Sequence, residues 1–166
     1  TTPFLRNDSL SDALGFAEQG GVWIKDETHT VAGSQKARHL FTQLLHLIAV
    51  ENVGQAPWRN QSERPQLAIA SCGNAAIAAS TLARAVNWPI QVFVPEHADA
   101  PTLKILGALD ANVVRCARLA TDAPGDPCVF RFREAIVAGA IPFGVQGPEN
   151  AWCLDGGRTI GWEMAV

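Results

Sequence analysis

Three lysines, Lys25, Lys36 and Lys104, stand among thirteen basic residues, so chemistry that needs a side-chain amine has three candidates. Lys36 has the most pointed setting. It follows Gly33-Ser34-Gln35 and opens a long helical pattern. A helix N-terminus carries positive partial charge, and burial also disfavours an ammonium ion, so the Lys36 pKa is expected to fall. A lysine amine of lowered pKa is what condensation with a carbonyl requires. The plain alternative is a lysine with its stem along apolar neighbours and its amine in water, and spacing alone favours that alternative. A second stretch, Ser71-Cys72-Gly73-Asn74-Ala75, lies where an apolar strand turns into a helix. Ligands of open parallel sheets bind at that edge, and free backbone N–H groups there hold anions such as carboxylates. Asn74 adds a side chain that both donates and accepts. The plain reading is a strand-to-helix turn capped by Asn74. The stretch lacks the G-x-G-x-x-G spacing of dinucleotide sites. Cys72 is a candidate nucleophile with no histidine placed beside it, and cysteines in such positions usually pack.

The elements that must position these residues follow from periodicity. Residues 21–25 read as a short strand, followed by the polar loop DETHTVAG. A helix begins at Ser34, its expected N-cap, and Leu40, Phe41, Leu44, Leu45, Leu47 and Ile48 give it a broad, mostly buried apolar arc. Residues 51–66 are polar with two prolines and read as an exposed connection. Strands are then expected at 67–71, 90–94, 112–116 and 142–146, with helices at 74–86, 102–109 and 127–139 between them. This alternation marks βαβ units with right-handed crossovers. The expected fold is α/β, a four-stranded parallel sheet with flanking helices. Residues 151–166 are helical in period, interrupted by Gly156-Gly157.

Composition narrows the function classes. The chain has 166 residues, a net charge of −3, 48% hydrophobic and 17% charged residues. It is large enough for one domain or part of a larger protein. Without a basic stripe, nucleic acid is not expected as a partner. No apolar run reaches the roughly 18 residues of a membrane span, and no signal-peptide pattern stands at Thr1. Cys72, Cys116, Cys128 and Cys153 form no C-x-x-C pair, so they read as reduced thiols of a cytoplasmic protein, not as metal ligands. His29, His39, His46 and His97 show no metal-ligand spacing, although His39 is near enough in sequence to tune Lys36. Trp58 and Trp88 read as loop packing, Trp152 and Trp162 as facing further structure, and Arg131 and Arg133 as a solvated helix face.

Taken in order, K-D-E at Lys25 to Glu27, G-S-x-K-x-R at Gly33 to Arg38 and S-x-G-N-A at Ser71 to Ala75 resemble the pyridoxal-phosphate enzymes of the tryptophan synthase β type, fold type II. Thr2-Pro3-Phe4, Val94-Pro95, Lys104 with Gly107-Ala108, and Thr159, Gly161 and Glu163 extend the likeness over nearly the whole chain. Serine/threonine dehydratases and threonine synthases are the nearest groups. The resemblance implies pyridoxal 5'-phosphate as cofactor, with Lys36 as the amine that condenses with its aldehyde and later takes the substrate α-proton. It implies that Asn74 hydrogen-bonds the cofactor's ring oxygen. Ser71, Cys72, Gly73, Asn74 and Ala75 would hold the carboxylate of a small amino-acid substrate, with Gln146 assisting. The implied reaction is β-elimination and deamination. The alternatives are a threonine synthase-like replacement enzyme or a non-catalytic binding module derived from the fold.

Two departures bear on the substrate: Gln35 stands where most relatives have Phe, and Cys72 where they usually have Ser or Thr. The resemblance is to the N-terminal half of such enzymes. Residues 1–33 would be the start of a large cofactor domain, 34–147 a small α/β domain, and 148–166 the beginning of the rest of the large domain. The family's glycine-rich phosphate loop has no counterpart here, so this chain by itself is expected to be incomplete and inactive, and the full-length protein a homo-oligomer, a dimer.

Overall fold

The computed structural model describes residues 1–165. It opens with a two-stranded antiparallel hairpin, β1 (Phe4–Asn7) and β2 (Val22–Lys25), bridged by the short helix α1 (Asp8–Ala13). The Asn7 side chain accepts from the Leu10 N–H at 2.9 Å and so starts that helix. Composition gave no sign of β1 or α1. Four residues without alternation become a strand only because β2 pairs with them. Next come α2 (Lys36–Asn52), β3 (Leu67–Ala70), α3 (Asn74–Ala85), β4 (Ile90–Pro95), α4 (Ala100–Ala108), β5 (Asn112–Cys116), α5 (Pro127–Val137), β6 (Ile141–Pro142) and α6 (Trp152–Met164).

The main sheet is parallel throughout, in the order β5-β4-β3-β6. The fold is therefore the expected α/β layer structure. Its central strands bury both faces, which explains their unbroken apolar sequence. Leu67 and Ile69 of β3 and Ile90, Val92 and Val94 of β4 point into a core shared with α2, α3 and α4. Ala68 and Phe93 point the other way, to Cys116 and to Cys128 and Phe132 of α5. Alanines at 75, 76, 78, 79 and 83 let α3 lie close against its neighbours.

Several expected boundaries move. The last strand is only two residues, because the chain leaves the sheet after the Phe143 N–H reaches the Ala68 carbonyl. Residues 143–150 are instead held by Gln43, which is 1% exposed. Its Nε2 donates to the Gly144 carbonyl at 2.6 Å, and its Oε1 accepts from Asn150 at 3.0 Å. The arc of α2 is narrower than its sequence suggests, since Phe41 (51%) and Leu45 (50%) are exposed. Gly156-Gly157 does not interrupt α6, and Val166 lies outside the described residues.

The polar stretch 51–66 is not simply an exposed connection. Arg64 is buried, stacks over Trp88 at 4.3 Å and donates to Glu51 at 2.9 Å. Trp58 meets Trp88 edge-on and donates to Glu51 at 2.9 Å. Two tryptophans and one paired cation supply a core that composition conceals. Arg131 likewise leaves the solvated face, pairing with Asp122 and Glu134, whereas Arg133 is exposed and pairs with Glu149 at 2.8 Å.

Candidate active site

Lys36 is the first residue of α2 and is half-buried. The helix starts one residue later than expected. Gln35 is the N-cap, without a side-chain cap, while the Ser34 hydroxyl donates to Gln35 Oε1 at 3.0 Å. Ser34 Oγ still lies 3.4 Å from the Lys36 N–H. The preceding loop is under tension. Ala32 has φ 59° and Gly33 φ 61°, and left-handed backbone costs an alanine roughly 1 kcal/mol. Thr30 holds that shape: its hydroxyl lies 2.7 Å from the Ser34 carbonyl and 2.8 Å from the Glu27 carbonyl, so its one proton serves either, and it accepts from the Ser34 N–H at 3.1 Å. Non-glycine strain of this sort persists where the surroundings enforce it, commonly beside functional residues. The Lys36 amine has no hydrogen bond or ion pair among the described residues.

The neighbouring amine is handled differently. Lys25 Nζ donates to the Thr2 carbonyl at 2.6 Å and to Glu163 Oε2 at 2.5 Å, with its side chain 9% exposed. Arg38, two positions beyond Lys36, fans its donors over Glu27 at 2.8 and 2.9 Å, Glu163 at 2.8 and 2.9 Å and Thr159 at 3.0 Å. The Thr2 hydroxyl also bonds Glu27. One partly buried cluster thus joins the N-terminal segment, the loop after β2, α2 and α6. Arg38 and then Lys25 hold the Glu163 carboxyl far below the usual range, against the opposing effect of burial. Arg38 lowers Glu27 in the same way, and both carboxylates raise the guanidinium in return. The sequence marked these residues only as separate motif positions; their spacing of 138 residues hid the pairing of Lys25 with Glu163.

The same helices approach closely where Lys36 begins. A Cβ on Gly156 would overlap the Arg38 carbonyl oxygen and stand 2.8 Å from His39 Cα, and one on Gly157 would lie 2.7 Å from His39 Nε2. The glycine pair is therefore a packing surface, and the His39 ring is set against α6. Farther along, Trp152 stacks on His46 at 4.1 Å, while Trp162 is exposed.

The second stretch sits at the C-terminal edge of β3. Ser71 lies just past the strand, its N–H donating to the Phe93 carbonyl at 3.1 Å. Gly73, not Asn74, is the N-cap of α3, and no side chain caps the helix. Asn74 and Cys72 are exposed, Ser71 and Gly73 half-buried, and Ala75 buried. The first intrahelical bond runs from the Ile77 N–H to the Gly73 carbonyl, so the amides at 74 to 76 have no acceptor within the helix. Cys72, being exposed, does not pack as buried cysteines do. The other three thiols are buried and free, and burial pushes Cys128 up to about 12.

The two stretches belong to one region. The turn Val31–Gly33 packs on α3, and Ala37 and Ala75, each following a candidate residue, share one core. Gln146 is exposed on the α5 side and lines a cleft of about 160 Å³ with Phe132, Arg133, Glu149 and Ala70, the residue before Ser71.

The family model for pyridoxal-phosphate dependent enzymes matches residues 1–165. The chain belongs to this family. Among curated proteins no match is found. Solved structures of the pyridoxal-phosphate enzymes share its fold. Maize serine racemase superposes with a TM-score of 0.71 at 17% identity, over 98% of this chain and 43% of the racemase. Threonine deaminase isoform 2 from Solanum lycopersicum gives 0.72 at 20%, over 98% and 41%. Escherichia coli diaminopropionate ammonia lyase gives 0.71 at 17%, over 99% and 47%. At these identities the likeness is one of fold, and the chain spans less than half the length of each. The residues present fit the reactive end of the family's cofactor: a free amine at Lys36 for an aldehyde, and an exposed amide with open N–H groups at the start of α3 for oxygen atoms. Its phosphate finds no glycine-rich cradle among the described residues, since Gly156 and Gly157 are occupied by α2 and a Cβ on Gly21 would meet the Arg6 side chain. No helix among the described residues is long and apolar enough to cross a membrane.

Proposed function

We propose that this chain is part of a pyridoxal-phosphate-dependent lyase that acts on a small amino acid by β-elimination and deamination. The observation that carries the reading is the contrast among the lysines. Lys25 is fully engaged, Lys104 is exposed on α4, and Lys36 is half-buried with an unengaged amine at a helix start. The cofactor, when bound, supplies the electron sink for the carbanion chemistry, and the protein supplies position and electrostatics. Lys36 would hold the cofactor's aldehyde end, and its amine would take the proton from the substrate Cα. Asn74 would hold the cofactor's ring oxygen. The Ser71 hydroxyl and the N–H groups of Gly73 to Ala75 hold the substrate carboxylate, helped by the positive end of α3. Cys72 is a weak donor, so this grip rests on backbone groups more than on its thiol. Gln146 assists from the segment after β6. Residues 34–147 act as a small domain carrying the carboxylate loop, with 1–33 and 148–166 belonging to the cofactor domain.

The test is product analysis on a full-length protein that carries this chain, loaded with cofactor and offered L-serine, L-threonine and L-2,3-diaminopropionate. The proposal expects a 2-oxo acid from at least one of them, with one ammonia per 2-oxo acid from serine or threonine and two from diaminopropionate. Racemisation without ammonia, or phosphate release from a phosphorylated hydroxy amino acid, would replace it.

A further inference from the structure

Condensation with an aldehyde needs a neutral amine. The nitrogen lone pair attacks the carbonyl carbon, a C=N bond forms, and the carbonyl oxygen leaves as water with both amine protons. Lys25 is a potential competitor for that reaction. It belongs to the cluster that contains Arg38, and a cavity of about 530 Å³ lined by Thr2, Lys25, Thr159, Trp162 and Glu163 gives small molecules access to it. Its nitrogen is nevertheless closed off, held between the Thr2 carbonyl and the Glu163 carboxylate at 2.6 and 2.5 Å. The cluster is charge-balanced, with Lys25 and Arg38 facing Glu27 and Glu163.

We propose that Glu163 is a positioning residue for chemical selectivity: it pins Lys25 as a paired ammonium, so that Lys36 is the amine left to meet aldehydes beside α2. The inference rests on the reading of Lys36 given above, yet it makes its own demand on Lys25. Replacing Glu163 by glutamine leaves two cations facing one carboxylate. Glutamine holds the Lys25 nitrogen less firmly than a carboxylate does, which frees the amine to attack a carbonyl.

Reductive alkylation of the 166-residue chain tests this, with acetaldehyde as probe and cyanoborohydride as the hydride donor that traps each C=N bond. Peptide mapping gives separate rates for Lys25, Lys36 and Lys104. In the unmodified sequence Lys25, held by two acceptors, should react more slowly than exposed Lys104. Glu163→Gln should raise the Lys25 rate by about tenfold, the loss of one charge-assisted hydrogen bond, and leave Lys104 unchanged, and Glu163→Asp should restore much of the protection. Equal rates at Lys25 and Lys104 in the unmodified sequence would overturn the proposal, as would a Lys25 rate indifferent to Glu163→Gln. If circular dichroism shows that Glu163→Gln fails to fold, the ratio of the Lys25 and Lys104 rates in the unmodified chain decides, and equal rates refute the proposal. Loss of Lys36 as the cofactor lysine would leave these Lys25 rates untouched, so the two readings fail separately.

Discussion

At the scale of single residues, the molecule sorts its cations by what they face. Arg64 is buried against Trp88 and depends on Glu51 for its charge balance. Removing one partner of such a pair leaves an uncompensated charge, so Glu51→Ala should lower stability by about 3 kcal/mol in urea unfolding. Glu163 and Glu27 make a different demand. Their carboxyls titrate lower in the fold than in the unfolded chain, so their stabilisation is complete above the ordinary carboxylate value near 4.3 and falls away as pH drops below it. Thermal melts of the unmodified chain should therefore fall steeply from about pH 5 downward, and Glu163→Gln should flatten that slope. A Glu163→Gln melt with the same acid slope would remove the ion cluster from the account of stability.

At the scale of elements, α2 and α6 meet through glycines. Gly156→Ala would drive a methyl group into the Arg38 backbone, which is not flexible, and should destabilise by about 2 kcal/mol or more, as overpacking does. Gly161, on the same helix, has open space at its Cβ, so Gly161→Ala should stabilise by about 0.5–1 kcal/mol through helix propensity. Equal effects of the two changes in chemical denaturation would contradict this packing. The sequence revealed much of this layer. The strands at 67, 90 and 112 were legible because both faces of a buried parallel strand must be apolar, and α3 and α5 were legible from their spacing. What stayed hidden depends on partners distant in the chain. β1 becomes a strand by pairing with β2, β6 ends where Gln43 captures Gly144, and Arg64 looks like a surface residue until Trp88 and Glu51 surround it. In the candidate site, Lys36 and Asn74 stood out by type and position, while the Lys25–Glu163 contact could not be read from local spacing.

At the scale of the whole molecule, the chain presents an unengaged amine at Lys36 and amides without an intrahelical acceptor at the start of α3, while Gly156 and Gly157 pack on α2 instead of cradling a phosphate. The 166-residue chain should therefore hold pyridoxal phosphate weakly and lose it on gel filtration; co-elution at equal stoichiometry would show a phosphate site that this account lacks. Weak binding still permits trapping. Borohydride reduction of the chain in saturating pyridoxal phosphate, followed by peptide mapping, tests the central claim most directly. The account predicts the phosphopyridoxyl group on Lys36, with Lys36→Ala abolishing the specific label. Preferential labelling of Lys25 or Lys104 in the unmodified chain would contradict it.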